Sequence, residues 1–98
     1  MEHKLVSILV PCYNGEKTIE RLLNSVLAQT YRPIELVLVN DGSKDGSEEV
    51  IMRNRGKLEN SGIAFVYHFQ ENRGLGGAID SALKLFHGDY LCFADADD

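Results

Sequence analysis

Four apolar runs, each ending in a polar turn and separated by three segments of helical period, constrain this chain more than any other feature. The first run is Leu5-Val6-Ser7-Ile8-Leu9-Val10, with Pro11 after it. It reads as a strand buried on both faces, and Pro11, which has no N–H to give a ladder, marks its close. Ile34-Glu35-Leu36-Val37-Leu38-Val39 is the second run, residues 63–69 the third and residues 90–94 the fourth. In the first helical segment Ile19, Leu22, Leu23, Val26 and Leu27 form one stripe, with the start expected at Glu16 and Asn14 as cap. Ser47 is placed to cap a second helix, with Glu48 and Glu49 in its first turn and a thin apolar face of Val50, Ile51 and Leu58. The third holds its period through Leu75, Ala78, Ile79, Ala82, Leu83 and Phe86, and Gly88 is a natural stop. Strict alternation of strand and helix predicts an α/β fold, a parallel sheet with right-handed crossovers.

In such open sheets, ligands bind beyond the carboxyl ends of the strands, at the point where strand order switches. Each unusual polar cluster of the sequence falls at one of those ends. Pro11-Cys12-Tyr13-Asn14 follows the first strand, Asn40-Asp41-Gly42-Ser43 the second, residues 72–77 the third, and Asp95-Ala96-Asp97-Asp98 the fourth. A strand order of 3-2-1-4 places the switch between strands one and four, with Tyr13 beside Asp95 and Asp97. Four clusters on one edge point to a site rather than to solubility alone.

Carboxylates at the end of a buried strand are costly unless a positive group lies among them. Asp95-Ala96-Asp97 offers two from one strand end, a pattern suited to a hard divalent cation held together with the phosphates of a substrate. Its bland alternative is a solvated acidic terminus. Asp41-Gly42-Ser43 is either a simple turn or a turn whose carboxylate accepts from the imide N–H of a uracil. Tyr13 is either a core aromatic or a ring that stacks on a base. Arg73 meets either a phosphate or solvent. Gly74-Leu75-Gly76-Gly77 is not the dinucleotide fingerprint: Ile79 stands where a third glycine belongs, and the stretch follows strand three rather than strand one. Close approach of backbone to a ligand or loop is its simpler role.

Composition narrows the classes. The 98 residues make one domain, with a net charge of −5 that argues against a nucleic-acid partner. An anionic ligand then needs a metal or local cations. No run of about 18 apolar residues is present, and Met1-Glu2-His3-Lys4 has no apolar core of the signal-peptide kind. Cys12 and Cys92, both in strand contexts, read as buried thiols in a reducing cytosol rather than as a bridge. The acidic motif ends the sequence, so the chain is expected to be the front portion of something larger.

Taken together, Val6-Ser7-Ile8-Leu9-Val10-Pro11-Cys12-Tyr13-Asn14, Ser25-Val26-Leu27-Ala28-Gln29-Thr30-Tyr31, Val39-Asn40-Asp41-Gly42-Ser43-Lys44-Asp45, Glu71-Asn72-Arg73-Gly74 and Phe93-Ala94-Asp95-Ala96-Asp97-Asp98 resemble the family 2 glycosyltransferases. The likeness runs over nearly the whole chain, in order. It implies a Rossmann-like sheet of order 3-2-1-4, the N-terminal, nucleotide-sugar-binding portion of a GT-A fold over residues 1–98, with the acceptor-binding portion absent. By the same likeness Pro11, Tyr13 and Glu16 line the nucleotide pocket and Asp41 accepts from the base. Asp95 lies near the ribose, and Asp97 holds Mn²⁺ or Mg²⁺ against the diphosphate. Asn40 departs from a frequent Asp of the family.

The implied reaction moves a sugar from a nucleotide-sugar donor, a UDP-sugar, to the hydroxyl of a saccharide or lipid-linked acceptor, with inversion and with a metal as Lewis acid. The family's base is a carboxylate of the later half, so no catalytic base is expected in this chain. The implied setting is cell-envelope polysaccharide synthesis, in the cytoplasm at the inner membrane face. The fragment alone is expected to be inactive and to self-associate through an exposed edge strand. Two other classes fit an α/β chain. A nucleotidyltransferase usually begins with a glycine- and arginine-rich loop after strand one, unlike residues 11–15. A receiver-like module wants an acidic pair after strand one, and none is visible.

Overall fold

Every apolar run becomes a strand and every helical stripe a helix. A computed structural model describes residues 3–95. The elements are β1 (Val6–Cys12), α1 (Ile19–Leu27), β2 (Ile34–Asp41), α2 (Ser47–Asn60), β3 (Ile63–Gln70), α3 (Gly74–Leu83) and β4 (Tyr90–Phe93). The four strands form one parallel sheet in the order β3-β2-β1-β4, as the alternation and the resemblance lead one to expect.

Side-chain alternation along the strands divides the core into two layers. Val10 and Cys12 of β1 and Ile34, Leu36 and Leu38 of β2 pack with Ile19, Leu23 and Val26 of α1 and Val50, Ile51 and Leu58 of α2. On the opposite face Leu9, Val37 and Val39 meet Ala78 and Ala82 of α3. All eight residues of β2 are buried. Covered faces on both sides explain why its sequence is a near-continuous apolar run rather than an alternating one.

Four local expectations are corrected. β1 does not close at Pro11 but continues to Cys12, with Pro11 opposite Val39. The oxygen of Leu9 accepts from the N–H of Ala94 at 3.0 Å, so the peptide groups of Leu9 and, two residues on, of Pro11 face the β4 side. Pairing with β4 has ended by then, at Leu9 opposite Phe93, so the missing N–H of Pro11 forfeits no ladder bond. Second, α1 begins at Ile19, and Asn14 does not cap it. Asn14 lies at φ 50° and spends its side chain on the N–H of Lys44, 2.8 Å away. Third, Ser47 is the first residue of α2, and its own N–H donates to Asp45 Oδ1 at 3.0 Å. Fourth, Cys92 is exposed, because among the described residues β4 pairs with β1 on one side alone; Cys12 is buried, and neither is in a disulfide.

Two stripes also differ from their pattern. The thin apolar face of α2 is completed by Asn54, which is fully buried and donates through Nδ2 to Val50 O at 2.8 Å and Glu20 Oε2 at 3.1 Å. The helix α3 ends at Leu83, short of Phe86, and buries only Ala78 and Ala82. Leu75 is 65% exposed. It lines a shallow cavity with Pro11, Ile79, Phe93, Ala94 and Asp95, so this flank of α3 leans toward the β4 edge.

At the amino ends of the strands lies a buried acid. Glu35 of β2 accepts at Oε1 from Ser7 Oγ (2.7 Å) and from the N–H of His87 (2.7 Å). Its Oε2 is 2.6 Å from His87 Nδ1. Ser7 Oγ accepts in turn from the N–H of Gly88 at 2.9 Å. One carboxylate thereby ties β1 and β2 to the segment that delivers β4.

Candidate functional site

The carboxyl ends of β1, β2 and β4 and the start of α3 enclose a cleft of about 350 Å³ lined by Pro11, Cys12, Tyr13, Asp41, Asn72, Gly74, Leu75, Ala78 and Asp95. Four of the residues singled out in the sequence, Pro11, Tyr13, Asp41 and Asp95, meet there. The register explains the meeting of two of them. β1 and β4 pair up to Leu9 opposite Phe93, which carries Asp95 to the level of Pro11. Tyr13 is 42% exposed, so its ring is open to a ligand rather than part of the core.

Asp41, the last residue of β2, is 2% exposed. Its Oδ1 accepts from the backbone N–H of Arg73 at 2.8 Å and from Gln70 Nε2 at 3.0 Å. Its own carbonyl accepts from Asn72 Nδ2 at 3.2 Å. The next residue, Gly42, has φ 71°, and a Cβ there would lie 2.7 Å from the backbone nitrogen of Asn72. Only glycine allows the β2–α2 turn to lie so close against the β3–α3 turn. Asp41 is therefore fixed from three sides, unlike a side chain of a solvated turn.

Glu16 and Arg73 are not among the residues lining this cleft. Glu16 turns toward the β2–α2 loop, where its Oε1 accepts from the N–H of Gly46 at 3.1 Å. It belongs to a set of cross-links between the loops after β1 and β2: Asn14 N to Ser43 Oγ (2.8 Å), Gly15 N to Ser47 Oγ (2.9 Å) and Glu16 N to Asp45 Oδ2 (3.2 Å). Burial pushes the Asp45 carboxyl up, but bonds from Ser47 Oγ, Ser47 N and Glu16 N outweigh it and hold the group below its usual range. Glu16 thus helps to shape the wall of the site from behind. Arg73 contributes its backbone N–H to Asp41, while its residue as a whole is exposed.

Asp97 and its neighbour Asp98 lie outside the described residues. Among the described residues no three His, Cys, Asp or Glu side chains cluster to hold a metal. Asp95 is the carboxylate of the acidic motif that the structure brings to the cleft.

Sequence reasoning missed the groups that support the site. Asn40, fully buried, donates from Nδ2 to Tyr67 Oη at 3.0 Å and accepts at Oδ1 from Ser43 N at 3.1 Å. Tyr67 Oη donates in turn to Glu48 Oε1 at 2.9 Å. Burial pushes the Tyr67 phenol up to about 12; the bond from Asn40 opposes this, and Glu48 adds to it. An Asp at position 40 would offer the phenol a second acceptor for one proton. Asn in place of the frequent Asp is therefore matched by Tyr67 and Glu48. Gln70 and Ser81 were missed as well, and the signal was weak: one amide closing an apolar strand and one hydroxyl inside a helical stripe.

Comparison with known proteins follows the same geometry. The chain is 40% identical over 98 residues to an uncharacterized glycosyltransferase of Rickettsia conorii, covering 98% of this chain and 15% of that protein. It is 39% identical over 92 residues to the poly-beta-1,6-N-acetyl-D-glucosamine synthase of Staphylococcus aureus, covering 94% of this chain and 21% of the synthase. Residues 1–349 of S. aureus TarS, solved with UDP-GlcNAc, superpose with a TM-score of 0.80 at 34% identity, over 94% of this chain and 26% of that one. The mannosyltransferase PcManGT of Pyrobaculum calidifontis, solved with GDP-Man and Mn²⁺, gives 0.84 at 28% identity, over 98% of this chain and 28% of that one. The chain thus spans between 15% and 28% of the length of these proteins and shares their Rossmann-like GT-A sheet. The family model for glycosyl transferase family 2 matches residues 7–98, and the chain belongs to that family.

Proposed function

We propose that this chain is the donor-binding portion of an inverting, metal-dependent glycosyltransferase that takes a UDP-sugar and serves a saccharide or lipid-linked acceptor of the cell envelope, at the cytoplasmic membrane face. The observation that carries the proposal is the convergence of Pro11, Tyr13, Asp41 and Asp95 on one cleft at the switch point of the sheet. Their chemistry suits the parts of a nucleoside diphosphate. Tyr13 offers a ring face to a base. Asp41 offers a fixed acceptor to a ring N–H, which uracil and guanine carry and cytosine lacks. Asp95 suits a ribose hydroxyl.

The diphosphate is anionic, and the cleft already holds Asp41 and Asp95. A divalent ion held by few carboxylates plus the ligand's phosphates fits that donor set, since Mg²⁺ is commonly bound by one or two carboxylates with substrate oxygens. Asp97 would be the further ligand. When bound, Mn²⁺ or Mg²⁺ supplies Lewis acidity at the leaving diphosphate. The chain's own residues orient the donor and exclude water from one side of it. Among the described residues none is assigned as the base for the acceptor hydroxyl.

Asp41→Ala is expected to weaken UDP by about 10- to 150-fold, the worth of one charge-assisted hydrogen bond of roughly 1.5–3 kcal/mol. Inorganic diphosphate, which has no base, should be affected much less. Calorimetry on the full-length protein with Mn²⁺ present checks this. Equal weakening of both ligands would make Asp41 a purely structural residue.

The 98-residue chain by itself is expected to be inactive and to self-associate. Tyr90 and Phe93 of β4 are 61% and 52% exposed, and among the described residues β4 pairs with β1 alone. An unpaired apolar edge of this kind invites a second chain. Light scattering coupled to gel filtration would show mass rising over a tenfold concentration range. A constant monomer mass would contradict the edge assignment.

A further inference from the structure

We propose that Gln70 and Ser81 are positioning residues that hold Asp41 as a hydrogen-bond acceptor toward the cleft and so make it select a base bearing a ring N–H over one bearing a bare ring nitrogen. The proposal rests on the assignment of Asp41 to the base.

Gln70 closes β3 and lies opposite Asp41 in the parallel register. It is 8% exposed, and its amide has two unlike ends. Ser81 of α3 donates from Oγ to Gln70 Oε1 at 2.6 Å. The carboxylate of Asp41 can only accept, so it takes the NH₂ end of the amide and leaves Oε1 to the Ser81 hydroxyl. The NH₂ end is then directed at Asp41 Oδ1, 3.0 Å away, where the N–H of Arg73 also donates at 2.8 Å. Both donors share Oδ1, so the carboxylate is held in one orientation by groups on β3 and at the start of α3. The group meets its ligand as an acceptor. Uracil presents N3–H to such a group, whereas cytosine presents a lone pair at N3 and is repelled. Discrimination of this kind is large when the mismatched group is left unpaired in a buried site.

The relay also joins the base contact to α3. Ser81 is two turns into the helix, while Asn72 and Arg73 at its start hold Asp41 directly. A hydroxyl far along the helix braces the amide, and the amide braces the acid.

The test compares UDP, CDP and inorganic diphosphate by calorimetry with Mn²⁺, using the full-length protein and its Gln70→Leu, Ser81→Ala and Ser81→Thr variants. Gln70→Leu is expected to reduce the UDP-over-CDP preference roughly tenfold, the size of one net hydrogen bond, with diphosphate affinity retained. Ser81→Ala should reduce it by roughly threefold, since the amide keeps its bond to Asp41 but loses the bond that braces its other end. Ser81→Thr keeps the hydroxyl and should restore the preference, which a merely structural role for position 81 would not require. An unchanged preference in both Gln70→Leu and Ser81→Ala, with diphosphate still bound, overturns the proposal. Should Gln70→Leu fail to fold, the Ser81 pair decides alone. If the unmodified protein shows no preference for UDP over CDP, the assignment of Asp41 to the base is wrong, and the relay falls with it. The two failures are thus told apart by the unmodified protein.

Discussion

Replacing Glu35 with alanine is expected to lower stability by about 2–4 kcal/mol, because Ser7 Oγ and the N–H of His87 lose their shared acceptor in a buried place. Domains of this size are stable by only about 5–15 kcal/mol, so the loss is a large fraction of the total. The pH dependence has a definite sign. Burial pushes the Glu35 carboxyl up, but bonds from the N–H of His87, from Ser7 Oγ and from the His87 ring outweigh it and hold the group below the ordinary 4.5. Its contribution is therefore complete above pH 4.5 and is lost as the pH falls through the lower, folded value. Glu35→Gln keeps the shape and some of the bonds but has no proton to take up. Its stability should fall less steeply than that of the unmodified protein between neutral pH and pH 3. Urea midpoints at a series of pH values check both points. Parallel pH curves for the two proteins would remove Glu35 as the titrating group.

Asp97→Ala in the full-length protein should reduce metal-dependent transfer by on the order of 10³-fold or more, since Lewis-acid stabilisation supplies several kcal/mol and each 1.36 kcal/mol is tenfold in rate. The motive is electrostatic. The cleft is lined by Asp41 and Asp95, the chain carries a net charge of −5, and the proposed donor is a diphosphate. Like charges at close range need a cation between them. A transfer assay over a Mn²⁺ titration reads the effect. Activity within tenfold of the unmodified protein at saturating Mn²⁺ would show that Asp97 is not a ligand.

Much of this fold was legible because buried parallel strands and amphipathic helices have different periods. β2 illustrates the strong case: eight buried residues leave a run that nothing but a central strand explains. The strand order came from the same source combined with the resemblance. Boundaries were less legible where side chains chose partners across loops. Asn14 has the composition of a cap, yet Lys44 of another loop takes its oxygen. Glu16 looked like a pocket residue, but Gly46 holds it. Pro11 looked like a strand end, and only the early end of β4 shows why a strand can pass through it.

The site shows the same division. Asp41, Tyr13 and Asp95 were visible as polar residues placed after apolar runs, since chain order alone brings strand ends to one edge. Gln70, Ser81 and the Ser7–Glu35–His87 clamp were not, because their pairings span 11 to 52 residues and depend on register. Glu35 gave one clue: a carboxylate inside an apolar run must have a buried partner. The sequence does not say which.

The most direct measurement is a calorimetric titration of the full-length protein with UDP, with and without Mn²⁺, with inorganic phosphate as competitor. The account predicts that UDP binds with Mn²⁺ and much more weakly without it, and that phosphate at the same concentration does not displace it. UDP binding that is absent in both conditions, or that phosphate displaces as readily as UDP itself, would contradict the assignment of this cleft to a nucleotide-sugar donor.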